Sequence, residues 1–96
     1  MGKFKTAYVT CNTGHDFSAL LEIADKIVFL TSGYEKEEEL QATIGTTLKN
    51  FDCEMDVVVP VGNVVANLLL GTLLPKQFRL AVFHDKQYHI MEVCND

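Results

Sequence analysis

The sequence predicts a single α/β domain with the element order β-α-β-α-β-α-β-β, a mostly parallel central sheet ending in a C-terminal antiparallel hairpin. Two observations predict it. First, three segments share one pattern, an apolar, β-branched run that stops at Gly and small polar residues. Ala7-Tyr8-Val9-Thr10-Cys11 leads into Asn12-Thr13-Gly14-His15-Asp16, Ile27-Val28-Phe29-Leu30 into Thr31-Ser32-Gly33, and Val57-Val58-Val59-Pro60-Val61 into Gly62-Asn63. A helix-like stretch follows each, and strand, polar turn and helix in repetition mark a parallel sheet. Second, Phe78 to His84 and Gln87 to Val93 flank Asp85-Lys86 as two strands of a hairpin. The chain has 96 residues and no linker, repeat or low-complexity tract, so one domain over 1–96 is expected.

The elements follow in order. The first strand covers 5–11, and Asp16 is a candidate N-cap for a short helix over about 17–24, with Leu20, Leu21 and Ala24 turned to the sheet. The second strand covers 26–31. A helix over about 35–49 opens on Glu35, Glu37, Glu38 and Glu39 and closes near Lys49, an order that complements the helix dipole. Its Leu40, Ile44 and Leu48 recur every four residues as a buried face, and the glutamates read as its solvated start. The third strand, 56–61, is apolar on both faces and therefore central. Asn63 is a good N-cap for a helix over 63–73. That helix is apolar nearly all round, which places it deep in the core or in a subunit interface. Gly71 and Pro75 end it.

Composition excludes several functions. The formal net charge is −5 and Arg79 is the single arginine. A nucleic-acid groove needs clustered Lys and Arg, so none is expected. An anionic ligand would rest on backbone N–H groups and helix N-termini. Cys11, Cys53 and Cys94 are odd in number and lack metal-ligand spacing, which suits a reducing compartment. The N-terminus lacks the apolar core of a signal peptide, and the apolar run Val64 to Leu70 is too short to span a bilayer. A cytoplasmic protein is expected, without membrane contact and with no cofactor or metal. A core this thin favours a homodimer or higher homo-oligomer.

In parallel sheets ligands sit outside the carboxyl ends of the strands. The candidate ligand-binding residues are therefore Asn12, Thr13, Gly14, His15 and Ser18 after the first strand, Thr31, Ser32 and Gly33 after the second, and Gly62 and Asn63 after the third. Gly62 lets the backbone approach a ligand, and Asn63 sets an amide and a helix N-terminus beside it. Cys11 with His15 would make an activated nucleophile, against the alternative of a buried thiol and a solvent histidine. His15 is the one weak catalytic candidate, with Asp16 serving better as a cap than as its partner. His84 and His89 fall diagonally on one face of the hairpin but lack a third metal ligand. There is no Walker A motif and no dinucleotide fingerprint.

The strand with Val61-Gly62-Asn63, then Asn67-Leu68, Gly71-Thr72 and a hairpin, resembles the viral anti-CRISPR ring-nuclease family. Asn12, Phe17-Ser18 and Leu21 after the first strand, and the acidic second helix, are similar too. The resemblance implies a small α/β homodimer that binds a cyclic oligoadenylate, with Ser18, Gly62 and Asn63 touching the ligand. Three departures follow. The family's catalytic His is replaced here by Asn63, which is no general acid at neutral pH. The family's acidic C-terminal segment is missing, and three extra residues bring in His15. The leading expectation is thus a protein that binds a nucleotide-like signal, with sequestration rather than cleavage as the outcome. The alternatives are a phosphodiester-cleaving enzyme using His15 or Cys11, and a ligand-free interaction module docking through its apolar 63–73 helix.

Overall fold

The structure, a computed structural model, describes residues 3–32 and 34–94. It is one α/β domain in which a five-stranded mixed sheet carries two α-helices. The strands are β1 (Phe4–Cys11), β2 (Ala24–Thr31), β3 (Asp56–Val59), β4 (Gln77–His84) and β5 (Gln87–Cys94). The helices are α1 (Glu37–Thr47) and α2 (Val64–Leu73). Spatial order is β2-β1-β3-β4-β5. Parallel registers join β1 to β2, β1 to β3 and β3 to β4, and β5 runs antiparallel to β4.

The sheet is mixed rather than the mostly parallel sheet expected, because β5 returns antiparallel to β4, and its parallel part is cut short at Pro60. Without a backbone N–H it cannot extend a ladder, so β3 stops at Val59 and meets β4 in register only at Val58↔Leu80. The β4–β5 hairpin instead pairs without a break from Gln77↔Cys94 to His84↔Gln87. Its Asp85 (φ 51°) and Lys86 (φ 65°) both lie in the left-handed region, the two-residue turn whose twist matches the strands.

A second correction concerns the first crossover, which is a short 3-10 turn over Ser18–Glu22 and not a helix over 17–24. Two Asx turns consume the residues before it. Asn12 Oδ1 accepts the Gly14 N–H at 3.0 Å, and Asp16 Oδ1 accepts the Ser18 N–H at 2.9 Å. Leu20 and Ala24 are buried as expected, but Leu21 is exposed.

Both sheet faces are buried at the centre, as the apolar β3 requires. One face, with Tyr8, Leu30 and Val58, packs on Ile44 and Leu48 of the α1 region and on Ala66 and Leu70 of α2. The other face, with Ala7, Val9, Val57, Val59 and Ala81, is covered by Phe17 and Leu20. The outer side of α2 is open, with Val64 71% and Leu68 69% exposed, so this helix is not deep in the core of one chain.

Asn67, the polar residue within the apolar α2, ties three elements together. Thr10 Oγ1 donates to Asn67 Oδ1 at 2.6 Å and accepts the Val61 N–H at 3.3 Å. Asn67 Nδ2 donates to the carbonyls of Val61 (3.1 Å) and Asn63 (3.0 Å). The segment after β3 is thereby held to the end of β1 and to the first turn of α2. Asn67→Leu leaves the Thr10 hydroxyl only its longer contact with the Val59 carbonyl at 3.4 Å and takes the amide donor from the Val61 carbonyl, a loss of about 2 kcal/mol in urea unfolding. Adding Thr10→Val to that variant deepens the loss, because the Val61 N–H then loses its acceptor as well.

Candidate functional site

The crossover from β1 to β2 covers one face of the sheet and the crossovers through α1 and α2 cover the other. Strand order therefore reverses between β1 and β3, and a topological switch point is where open α/β sheets hold their ligands. A cavity of about 520 Å³ opens there. Thr13, His15, Asp16 and Phe17 from the segment after β1 form one wall. Val61 and Gly62 after β3 form the floor, and Phe83 of β4 and Tyr88 of β5 form the far wall.

The aromatic rings give the cleft its shape. Phe83 and Tyr88, cross-strand partners beside the turn, meet edge to face with centroids 5.0 Å apart. Phe17 is buried against Phe29 at 5.7 Å and carries the His15 ring at 6.5 Å, nearly perpendicular. Gly62 has φ 73°, and a Cβ there would lie 2.6 Å from Cys11 Sγ and 3.0 Å from Thr13 Cγ2. The segment after β3 can lie against the end of β1 only because this residue has no side chain.

Charge in the cleft is sparse. Hydrogen bonds from the Ser18 backbone and side chain hold the Asp16 carboxyl below the usual carboxylate range. Burial, and next the charge of Asp16, push the Tyr88 phenol above its ordinary value. Tyr88 is thus a neutral hydrogen-bond donor at neutral pH. Its burial contributes stability below the ordinary phenol pKa of about 10, lost as pH rises through the higher folded value.

The structure brings Thr13, His15 and Gly62 into one cleft and places the remaining candidates elsewhere. Asn12 and Gly14 form the Asx turn behind Thr13. Ser18 starts the 3-10 turn as the partner of Asp16. Asn63 caps α2, its Oδ1 accepting the Ala66 N–H at 3.2 Å. Thr31 is buried and donates to the Thr10 carbonyl at 3.1 Å. Ser32 is engaged by Glu35, whose carboxylate accepts both its N–H and its hydroxyl. Gly33 lies outside the described residues. Cys11 is buried under Gly62 with its thiol towards the Val61 carbonyl at 3.9 Å, a structural position rather than that of a nucleophile.

Asp16, Phe17, Val61, Phe83 and Tyr88 line the cleft but were not among the ligand contacts expected from the sequence. The signal was present for two of them, since a two-residue turn at Asp85-Lys86 sets Phe83 opposite Tyr88 on one face. His84 and His89 do fall on one face, their rings 5.9 Å apart, and His89 Nε2 lies 3.0 Å from the His84 carbonyl. Among the described residues no group of three His, Cys, Asp or Glu side chains is placed to hold a metal ion. No helix among them is long and apolar enough to cross a membrane.

Comparison with protein-family models, with curated proteins and with solved structures finds no match to the chain.

Two outcomes test this geometry. Gly62→Ala is expected to lose about 2 kcal/mol or more in urea unfolding, from the left-handed φ and the contact with Cys11 together. In a Tyr8→Phe/Tyr34→Phe background, Asp16→Asn should lower the pH at which Tyr88 forms phenolate absorbance, while burial keeps it above the ordinary value. An unchanged titration would show that the Asp16 charge does not act on the cleft.

Proposed function

We propose that the protein binds a small nucleotide-like ligand, a cyclic nucleotide signal, in the cleft at the carboxyl ends of β1, β3 and β4. It does so as a homo-oligomer in the cytoplasm and acts by sequestering the signal, the immune-evasion role that the ring-nuclease resemblance implies. The observation that carries this reading is the meeting of three aromatic residues with a close-approach glycine at the switch point. A nucleobase presents a flat π-face, and stacking on an aromatic side chain is worth about 1–3 kcal/mol per base. Phe83, 57% exposed, offers such a surface before any ligand arrives. Thr13 and His15 supply hydrogen-bonding groups on the opposite wall, and Gly62 lines the floor between them and the aromatic rings.

The arrangement favours holding over cutting. His15 is the one histidine in the cleft, and Cys11 is closed beneath Gly62. Cleavage with His15 as acid or base remains the second reading, since His15 does line the cavity. An interaction module that docks through Val64 and Leu68 of α2 is the reading of a different class.

Melting curves with a panel of cyclic oligonucleotides and cyclic ADP-ribose isomers distinguish the three. At one hundred times Kd a ligand adds about 2.7 kcal/mol, and for a domain of this size each kcal/mol raises Tm by about 4–8 °C. At least one compound should raise Tm and be recovered intact, and Phe83→Ala with Tyr88→Ala should abolish the shift. Consumption of the compound that ceases in His15→Ala would favour the enzyme. No shift with any compound would sink the ligand reading.

A further inference from the structure

Among the described residues the last strand of the sheet is an unprotected edge. β5 is eight residues long, is paired on one side only, and keeps unbroken register with β4. Sheet edges are normally blunted by proline, lysine, a bulge or a covering element. β5 contains neither Pro nor Lys, its ladder has no bulge, and Ile90 and Met91 are exposed along it. Its one charge, Glu92, is balanced by Arg79 at 3.2 Å. The opposite edge, β2, carries Asp25 and Lys26.

The turn geometry determines which backbone groups face outward. In a two-residue hairpin the flanking residues, His84 and Gln87, exchange both backbone hydrogen bonds, and the pattern alternates from there. Gln87, His89, Met91 and Val93 therefore turn their N–H and C=O groups towards β4. Those of Tyr88, Ile90, Glu92 and, at the strand's end, Cys94 point away from the sheet, and no strand among the described residues pairs with Tyr88, Ile90 and Glu92 on that side.

We propose that this edge pairs with the same edge of a second copy of the chain, antiparallel about a two-fold axis at Ile90. A two-fold axis normal to the sheet keeps like faces together, so outward-pointing residues meet outward-pointing residues. Centring on Ile90 engages Tyr88, Ile90 and Glu92 on each copy, in about six new backbone hydrogen bonds. Ile90 then faces Ile90 of the second copy, and Tyr88 faces its Glu92, a phenol donor against a carboxylate. A shift of two residues towards the C-terminus would set Ile90 against Glu92 and lose the apolar pair. No like charges meet in the centred register, so an acidic chain can associate here without direct repulsion. The two sheets become one continuous sheet, with both strand-end clefts on the same face and Tyr88, a wall of each cleft, at the seam. This pairing stands apart from the ligand reading: either can fail while the other holds.

Sedimentation equilibrium and cross-linking in a Cys53→Ser/Cys94→Ser background test it. The protein should sediment as a dimer, and Ile90→Lys, which sets two like charges face to face, should weaken association about tenfold or more. Ile90→Pro removes an outward N–H without touching the β4 ladder and gives the same loss with the fold retained. Directly opposed residues lie about 5.5 Å apart between Cα atoms, within disulfide reach. Ile90→Cys should therefore cross-link on oxidation. Met91→Cys should not, because its nearest opposite residue is His89. A monomer at every attainable concentration overturns the proposal. So does a dimer that survives Ile90→Lys, or one that cross-links through Val64→Cys on α2 in place of Ile90→Cys.

Discussion

The hydroxyl of Thr10 is the small contact on which the working end of this molecule depends. Pro60 removes the N–H that would have continued β3, so the chain leaves the sheet at Val59 with no ladder to guide it. Thr10 replaces that guidance. It accepts from Val61 and donates to Asn67, and Asn67 returns to the carbonyls of Val61 and Asn63. One turn is thereby fixed to a strand and to the start of a helix. Partly buried hydrogen bonds of this kind contribute little net energy when made and cost much when one partner is missing. Gly62 sits inside this clasp, and its lack of a side chain lets the Cys11 thiol fill the space below.

Much of the fold was legible because it rests on local pattern. The period-four spacing of Leu40, Ile44 and Leu48 and the all-apolar β3 predicted faces that are indeed buried. Asn63 caps α2 as its position announced. What was not legible depends on competition between local choices. Asn12 and Asp16 spend their side chains on Asx turns, leaving too few residues for the first helix. Glu35, counted as the start of the second helix, folds back on Ser32, and α1 begins at Glu37.

The cleft was legible in location and less so in composition. Polar strand-ends pointed to the carboxyl edge of the sheet, and Thr13, His15 and Gly62 line one cavity there. The second strand-end looks equivalent in sequence, yet Thr31 and Ser32 are used in holding β2 and the approach to α1. Three similar segments diverge in role because the sheet reverses direction between only one pair of neighbours. The aromatic wall escaped notice because its two rings come from a hairpin distant in sequence, and pairing alone brings them to the cleft.

Among the residues that line the cleft there is no lysine and no arginine, on a chain of formal net charge −5. Such a site does not draw an anionic ligand from a distance. For the anionic ligand proposed above, added salt screens the repulsion from the chain, so binding would tighten as ionic strength rises, the reverse of an arginine-lined phosphate site. Under that proposal selection is made at contact, by flatness and fit.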